Sequence, residues 1–267
     1  MDLSGRRALL TGATGGLGRA IATAMAERGA TLILSARKRE ALEEQAGALP
    51  GSGHSVLPAD LAEPGAADRL AAEAGAVDVL VANAGLPGAG WLSDFSSEQV
   101  ERALRVNLEA PMLLARALFP AMIERGAGHL VFVASLSGKA GSPRSSVYNA
   151  TKFGLRGFAL GLRPDLSPRG VGVSLVSPGF VRDAGMFADA GAKPPAGMGT
   201  ASPEQVGAAV VKAIEKDRVE IAVAPLQLRI AAHLALASPS LGAKAQTGKA
   251  GQKAAEAIAS GHSADKR

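Results

Sequence analysis

The strongest candidates for catalytic residues in this sequence are a tyrosine and a lysine four residues apart, Tyr148 and Lys152. They lie in a predicted helix, where a spacing of four places two side chains on one face. A free phenol has a pKa of about 10, and a neighbouring ammonium lowers that pKa because it favours the phenolate. Tyr148, the sole tyrosine of the chain, is therefore expected to exchange a proton with a carbonyl or alcohol oxygen.

A serine precedes this pair at a strand end. Ser135 closes the fifth predicted strand, thirteen residues before Tyr148. A hydroxyl at such a position can hydrogen-bond a substrate oxygen and hold it for reaction. We therefore predict that Ser135 acts beside Tyr148 and Lys152. The other serines of this stretch are interpreted as loop or cap residues: Ser137, Ser142, Ser145 and Ser146.

A glycine-rich turn follows the first predicted strand and opens a helix. Its sequence, TGATGGLG, runs from Thr11 to Gly18. Glycines at this spacing let the backbone turn tightly and approach a pyrophosphate, whose charge is stabilised at a helix N-terminus. The turn therefore predicts a dinucleotide site, with contacts from Gly12, Thr14, Gly15, Gly16, Leu17 and Gly18.

The end of the second predicted strand indicates which dinucleotide binds. In dinucleotide folds a carboxylate about 20 residues beyond the turn commonly holds the ribose 2′-hydroxyl. Here Ala36 and Arg37 stand at that place, followed by Lys38 and Arg39. A guanidinium can bind a 2′-phosphate with two hydrogen bonds. The alternative is a solvated helix start, which cations disfavour because they oppose the helix dipole. We predict NADP, with NAD as the alternative.

Composition excludes several classes of protein. The 267 residues include no cysteine, which excludes disulfides, thiolate catalysis and cysteine-based zinc sites. The four histidines lack metal-ligand spacing, so we predict no metal. Aromatic residues make up only 3% of the chain, too few for a surface that stacks nucleic-acid bases. The net charge of +5 includes a basic tail, which we interpret as solvent-facing.

The sequence predicts neither a signal peptide nor a membrane-spanning segment. Its start lacks an apolar core after a basic stretch, the pattern of a signal peptide. The late apolar stretch 226–237 contains Arg229 and His233 and is shorter than the roughly 20 residues of a membrane span. We expect a cytoplasmic protein without a transmembrane segment.

Short apolar runs alternate with helical patterns, which predicts an α/β fold. Near-continuous apolar strands are typical of parallel sheets buried on both faces. We therefore predict a Rossmann-type doubly wound parallel sheet in three α/β/α layers. The predicted strands are 8–11, 31–35, 55–59, 77–82, 129–134 and 171–177. The predicted helices are 16–28, 39–48, 64–74, 97–125 and 146–167.

Two later segments break this rhythm. The stretch 183–200 is rich in glycine and proline, and we interpret it as a substrate lid or as an ordinary loop. We assign 1–225 to the dinucleotide-binding domain and 226–267 to a C-terminal helical extension. Alanine, glycine and lysine dominate from Ser238 onward, which predicts a weakly packed helix or a partly disordered tail.

Taken in order, these motifs resemble those of the short-chain dehydrogenase/reductase family, over residues 3–223. The resemblance implies that Asp60 and Leu61 contact adenine, and that Asn83, Ala84 and Gly85 end the fourth strand beside the cofactor. It implies that Asn107 holds a water in a proton relay with Ser135, Tyr148 and Lys152. It implies cofactor contacts from Tyr148 and Lys152 and, after the sixth strand, from Pro178, Gly179 and Val181.

The resemblance also implies an activity and an assembly. The expected activity is that of a carbonyl reductase or alcohol dehydrogenase, in which hydride passes between nicotinamide and a ketone or secondary alcohol, here a modest apolar one. An oxidised nicotinamide ring would add to the lysine's effect on the phenol. The helices 97–125 and 146–167 are expected to pair across a two-fold axis in a homodimer or homotetramer. The alternative is a catalytically silent regulatory or scaffold protein on the same fold.

The sequence departs from the family pattern at two positions. Asp183 stands where members often carry a threonine that binds the nicotinamide carboxamide. Gly15 stands where NADP-preferring members often carry a basic residue, which counts against NADP. Trp91, in a glycine-rich loop, is expected to line the substrate mouth or to pack on the surface.

Overall fold

A computed structural model describes residues 1–189, 191 and 199–246. Its central sheet contains strands β1 (Arg7–Thr11), β2 (Thr31–Ser35), β3 (Ser55–Val56), β4 (Val79–Ala82), β5 (Gly128–Val133), β6 (Val171–Pro178) and β7 (Glu220–Val223). All adjacent strands pair in parallel, in the order β3-β2-β1-β4-β5-β6-β7. The direction of winding reverses between β1 and β4, so a crevice opens there at the carboxyl ends of the strands.

Helices cover both faces of this sheet, because successive strand residues point to opposite sides. Leu10 and Val81 pack under one layer, while Leu9, Leu80 and Phe132 pack under the other. The first layer contains α1 (Gly16–Ala26), α2 (Arg39–Ala48) and α8 (Pro203–Glu215). The second contains α3 (Ala66–Ala74), α4 (Ser97–Leu104), α5 (Ala110–Glu124) and α6 (Ser146–Leu166). The predicted three-layer parallel α/β fold is therefore confirmed.

Helices α4 and α5 form one helical stretch, joined by a π-helical turn over Arg105–Glu109. By length and composition alone this stretch, Ser97–Glu124, would be long and apolar enough to cross a membrane. Its apolar residues Ala110, Leu114 and Met122 are instead buried against the sheet. Within the described residues it is thus a core helix of the folded domain.

Several elements differ from the predicted bounds. The third strand is limited to Ser55–Val56 rather than reaching residue 59, although the Leu57 and Ala59 N–H groups still donate to the carbonyl oxygens of Leu34 and Ala36. Strand β7 was not predicted, since only Val223 of its four residues is buried and its apolar pattern is weak. Helix α8 was also not predicted, although Ser202 and Gln205 form a capping box that the sequence displays.

The chain beyond the sheet forms a helical hairpin. Helices α9 (Leu226–Ala237) and α10 (Pro239–Gln246) pack against one another. The segment predicted to be irregular begins with a short helix, α7 (Met186–Asp189). Residues 190 and 192–198 of that segment, and the tail from 247 to 267 predicted to be partly disordered, lie outside the described residues.

Candidate active site

A cleft of about 1090 Å³ opens at the carboxyl edge of the sheet, above the reversal between β1 and β4. The side chains and backbone that line it include every candidate site residue predicted from the sequence except Asn107. Residues from distant parts of the chain, such as Gly12, Arg37 and Tyr148, therefore share one cavity. The volume lies at the upper end of the range for small-molecule sites, which leaves room for a cofactor and a second molecule.

The glycine-rich turn lines this cleft, and a side chain at Gly12 or Gly18 would clash with neighbouring backbone. Gly12 has a φ of +63°, and a Cβ there would be 2.8 Å from the Cα of Ala84. A Cβ at Gly18 would overlap the carbonyl oxygen of Gly12. Asn83 fastens the turn, since its Nδ2 donates to the carbonyl oxygens of Thr11 and Gly12 at 3.1 Å each. Packing within the protein therefore requires glycine at Gly12 and Gly18, and the approach of a pyrophosphate to the turn stays a prediction.

This turn fits the diphosphate of a dinucleotide. It leads directly into the N-terminus of α1, whose free N–H groups favour an anion. The first turn of α1 contains no acidic residue to oppose that anion. At Gly15 a Cβ would meet only the Gly12 carbonyl oxygen, at 3.4 Å, so the outer face of the turn is open.

Basic side chains stand at the end of β2, where the adenosine half of a dinucleotide would lie. Arg37 and Lys38 line the cleft beside Ala36. Arg39 instead forms an exposed ion pair with Glu43, at 3.5 Å within α2. Across the cleft, Asp60 Oδ1 accepts from the backbone N–H of Ala62 at 2.9 Å, an arrangement that shapes this turn.

Ser135 lies two residues after the end of β5 and lines the same cleft as Tyr148. Its Oγ accepts from the Ser137 N–H at 3.1 Å and lies 3.5 Å from the Pro178 carbonyl oxygen. Ser135 also lowers the pKa of the Tyr148 phenol and so partly opposes the effect of burial. The serine and the tyrosine therefore meet as the sequence predicts.

Lys152 lies one turn after Tyr148 on α6 and is 3% exposed. Its Nζ is 5.7 Å from the centre of the Tyr148 ring and donates to the Val133 carbonyl oxygen at 3.0 Å. Burial lowers the pKa of this ammonium to about 8. The lysine therefore remains mostly protonated at neutral pH and is tied to the last residue of β5, two residues before Ser135.

The pKa of Tyr148 shifts opposite to the sequence-based expectation. Burial raises it, because the phenolate loses hydration, and the hydrogen bond with Ser135 only partly opposes this. The protein's own residues thus keep the phenol protonated near neutral pH, in the form that donates a proton. The expected lowering required an oxidised nicotinamide as well as Lys152.

Asn107 is fully buried behind the cleft, within the π-helical turn. Its Oδ1 accepts from the Leu86 N–H at 2.7 Å, and its Nδ2 donates to the Leu86 carbonyl oxygen at 3.0 Å and to Thr151 Oγ1 at 3.4 Å. The side-chain amide therefore braces the loop after Gly85 against α6. The residue four positions on, Pro111, has no N–H, so the Asn107 carbonyl lacks its α-helical donor.

A buried ionic cluster supports this site and was not foreseen from the sequence. Lys139 Nζ lies 3.1 Å from Glu220 Oε1, and Arg156 Nε lies 3.3 Å from Glu220 Oε2. Ser177 Oγ donates to Glu220 Oε1 at 2.8 Å. Arg156 continues the face of α6 that carries Tyr148 and Lys152, at the next helical turn. The sequence did not predict this cluster, because Glu220 begins strand β7 and the apolar pattern did not indicate that strand.

Apolar side chains also line the cleft. Phe180 and Phe187 pack with ring centres 4.7 Å apart, and Met186 lies beside them. Trp91 is outside this lining: it is 58% exposed and lies under the Arg144 guanidinium, 4.4 Å from the ring centre. Of its two predicted placements, packing on the surface is the one observed.

Asp183 also lies outside the cleft lining. It adopts a φ of +65° and pairs with Arg182, 3.3 Å away, at the surface. The carboxylate therefore does not take the place of the threonine that the family often has there. Among the described residues, no cluster of three histidine or carboxylate side chains is positioned to hold a metal.

A parallel sheet of this order, with a glycine-rich turn at the reversal, defines a dinucleotide-binding fold. The family model described as short chain dehydrogenase matches residues 6–195. The chain belongs to the short-chain dehydrogenase family, whose members are oxidoreductases.

Individual relatives resemble most of the chain. A ketoacyl reductase named HetN from Nostoc sp. is 37% identical over 227 residues, which cover 83% of this chain and 79% of the relative. A short-chain dehydrogenase from Sphingobium yanoikuyae, solved in complex with NADPH, has a TM-score of 0.78 at 27% identity and covers 92% of this chain and 97% of its own. A 3-oxoacyl (acyl-carrier-protein) reductase from Agrobacterium tumefaciens with NADP bound has a TM-score of 0.77 at 26% identity, covering 83% and 94%.

Proposed function

We propose that the protein is an NADP-dependent carbonyl reductase or alcohol dehydrogenase. The bound nicotinamide supplies or accepts a hydride at the substrate carbon. The observation that carries the proposal is that Ser135, Tyr148 and Lys152 line the same cleft as the glycine-rich turn. The relatives named as ketoacyl reductases, and those solved with NADP or NADPH, support the same reaction class.

In reduction, Ser135 holds the carbonyl oxygen and Tyr148 donates its phenolic proton to that oxygen. The raised pKa of Tyr148 suits this step, because the phenol arrives protonated. The ammonium of Lys152 then lies one helical turn from the phenolate and stabilises it until a proton returns. Oxidation of an alcohol uses the same residues in reverse.

The proton returns through the buried side of the site. The Asn107 side chain is committed to Leu86 and Thr151. Its main-chain carbonyl, opposite Pro111, is the atom of this residue suited to hold a relay water. Asn107 then acts both as a brace and as the end of the proton path.

Cofactor binding is assigned to three regions of the cleft. The backbone from Gly12 to Gly18 would hold the diphosphate, and Arg37 would bind a 2′-phosphate. Asp60 and Leu61 contact the adenine, and Asn83, Ala84 and Gly85 contact the adjoining ribose. Pro178, Gly179 and Val181 hold the nicotinamide, where Tyr148 and Lys152 also contact the cofactor. NAD is the alternative cofactor.

Incubation with NADPH and a panel of ketones, followed by nicotinamide absorbance, tests the proposal. We expect loss of NADPH with some ketones and retention of activity only in protein with Tyr148. Tight NADPH binding without turnover of any ketone or secondary alcohol would identify a silent regulatory or scaffold protein instead. Failure to bind either nicotinamide cofactor would overturn both possibilities.

We also propose that the protein works in the cytoplasm as a symmetric homodimer or homotetramer. Leu104, Met112 and Phe153 are exposed apolar residues on α4, α5 and α6. Burial of such a shared face in a two-fold interface removes it from water. Light scattering at micromolar concentration is expected to give twice or four times the chain mass, and a monomer alone would contradict the assembly.

A further inference from the structure

The helical hairpin beyond β7 carries an unusual amount of uncovered apolar surface. Helix α9 reads LQLRIAAHLALA, yet only Ala232 within it is buried. Leu226, Ile230 and Leu234 are each more than half exposed, and Leu241 on α10 is 54% exposed. Helices that are apolar on most sides are normally buried. The hairpin therefore leaves an apolar surface exposed.

One side of the hairpin borders the cleft that contains Tyr148. Leu228, Ala231, Leu234, Ala235 and Leu241 all line it. The other side, which includes Ile230, does not.

The hairpin begins directly beside the proposed reaction centre. The Cδ1 atom of Leu228 is 3.8 Å from the point where a Cβ on Gly179 would lie, and Leu136 Cδ1 is 3.2 Å from the same point. Gly179 follows Pro178, whose carbonyl oxygen is 3.5 Å from Ser135 Oγ. From Leu228 to Leu234 the helix advances about 9 Å, at about 1.5 Å per residue. An apolar wall thus lines the cleft from Leu228 to Leu234, for the length of several methylene groups.

We propose that this wall binds an extended alkyl chain attached to the substrate carbonyl. The inference rests on the proposed reductase function and names its substrate class, a ketone with a long linear apolar chain. The side of α9 that lines the cleft has no charged side chain. It consists of apolar residues such as Leu228, Ala231 and Ala235, and the small alanines leave room for an alkyl chain. Arg229 and His233 are absent from the lining. The occupant is a part of the substrate, because the lined surface is continuous with the cavity of Tyr148.

A series of methyl ketones from butanone to decanone measures this preference. Each buried methylene contributes roughly 0.8 kcal/mol, which corresponds to about a fourfold rise in kcat/KM per added carbon. Ala231→Asp places a carboxylate on the wall and is expected to lower the ratio of decanone to butanone kcat/KM at least tenfold. Ile230→Asp adds the same charge one residue away, outside the lining, and is expected to leave the ratio unchanged. Both positions are exposed, so both variants should fold.

A binding measurement separates this inference from the proposed function. Calorimetric titration of the NADPH complex with decanol and butanol should show tighter binding of decanol, and Ala231→Asp should remove that difference. Equal kcat/KM for all ketones, with butanone reduced, would overturn the alkyl-chain site and leave the reductase intact. Two other results would overturn the alkyl-chain site: loss of chain selectivity in both variants, or a change of oligomeric state in Ile230→Asp. Either would indicate that the hairpin binds a second copy of the chain. If no ketone is turned over but decanol still binds more tightly than butanol, the reductase function is overturned and the apolar site is retained.

Discussion

Lys139 Nζ lies 3.1 Å from Glu220 Oε1, and their side chains are 2% and 13% exposed. Lys139 ends the short turn that begins at Ser135, while Glu220 begins the last strand of the sheet. Through Arg156 the same carboxylate reaches the helix of Tyr148 and Lys152. One buried carboxylate therefore ties the serine segment and the tyrosine helix to the sheet.

Removal of that carboxylate should destabilise the fold. Glu220→Ala leaves the buried Lys139 and the partly buried Arg156 without their partner, and breaking a buried pair in this way costs about 3–5 kcal/mol. Chemical denaturation should report a loss of this size. Asp68→Asn is the matched control, because its ion pair with Arg116 is exposed and worth about 0–1 kcal/mol. Similar losses in the two variants would contradict the importance of the buried cluster.

His129 should make stability depend on pH. It is 2% exposed on β5, and its Nε2 is 2.8 Å from Ser174 Oγ. Burial lowers its pKa from 6.5 to about 4, with Asp217 opposing and Arg163 adding to the effect. The unfolded chain therefore takes up a proton first as the pH falls, and stability decreases between these two values. This histidine alone should account for about 3 kcal/mol between about pH 7 and pH 4.

The measurement compares wild type with His129→Gln, which cannot titrate but retains an amide near Ser174. Denaturation curves across the acid range should fall less steeply for the variant, because carboxylates contribute equally to both proteins. Parallel curves for the two proteins would show that His129 is not the titrating group.

Cofactor choice should depend on the end of β2. Ala36→Asp with Arg37→Ala supplies a carboxylate for a ribose hydroxyl and removes the guanidinium for a 2′-phosphate. The double variant should bind NADH more tightly and NADPH more weakly than wild type, by titration with each cofactor. A wild type that already prefers NADH would show that Arg37 does not read the 2′-phosphate.

Substitutions of Ser135 and Lys152 should impair different steps, substrate turnover alone in one case and cofactor binding as well in the other. Ser135→Ala should depress turnover and leave NADPH affinity nearly unchanged, because its partner is the substrate oxygen. Lys152→Ala should lose turnover and also weaken NADPH binding through a lost ribose contact. Turnover and cofactor dissociation constants for both variants check this. Identical defects would argue that the two residues serve only to hold α6 in place.

Local patterns predicted most of the fold and the lining of the site. The glycine turn, the Tyr148 and Lys152 spacing and the strand end at Ser135 each combine a short motif with a clear position on an element. Parallel strands are also recognisable in the sequence, because burial on both faces leaves near-continuous apolar runs. These signals are local, and they suffice to place the residues at one edge of the sheet.

Features that depend on distant contacts were not predictable. The raised pKa of Tyr148 comes from burial by other segments, which the sequence does not display. Glu220 meets Lys139 only because β7 pairs with β6. The C-terminal hairpin looks like a weak extension in sequence, and its position along the cleft depends on the packing of α9 beside Gly179.

The central claim is that Tyr148 transfers the proton, and Tyr148→Phe tests it most directly. The variant keeps the ring and removes only the hydroxyl, so the fold and NADPH binding should persist. General acid–base catalysis contributes about 10²–10⁴-fold. Ketone turnover, measured at saturating NADPH together with the NADPH dissociation constant, should therefore fall at least about a hundredfold at unchanged affinity. Near-normal turnover in Tyr148→Phe would contradict the account and assign the proton to another group.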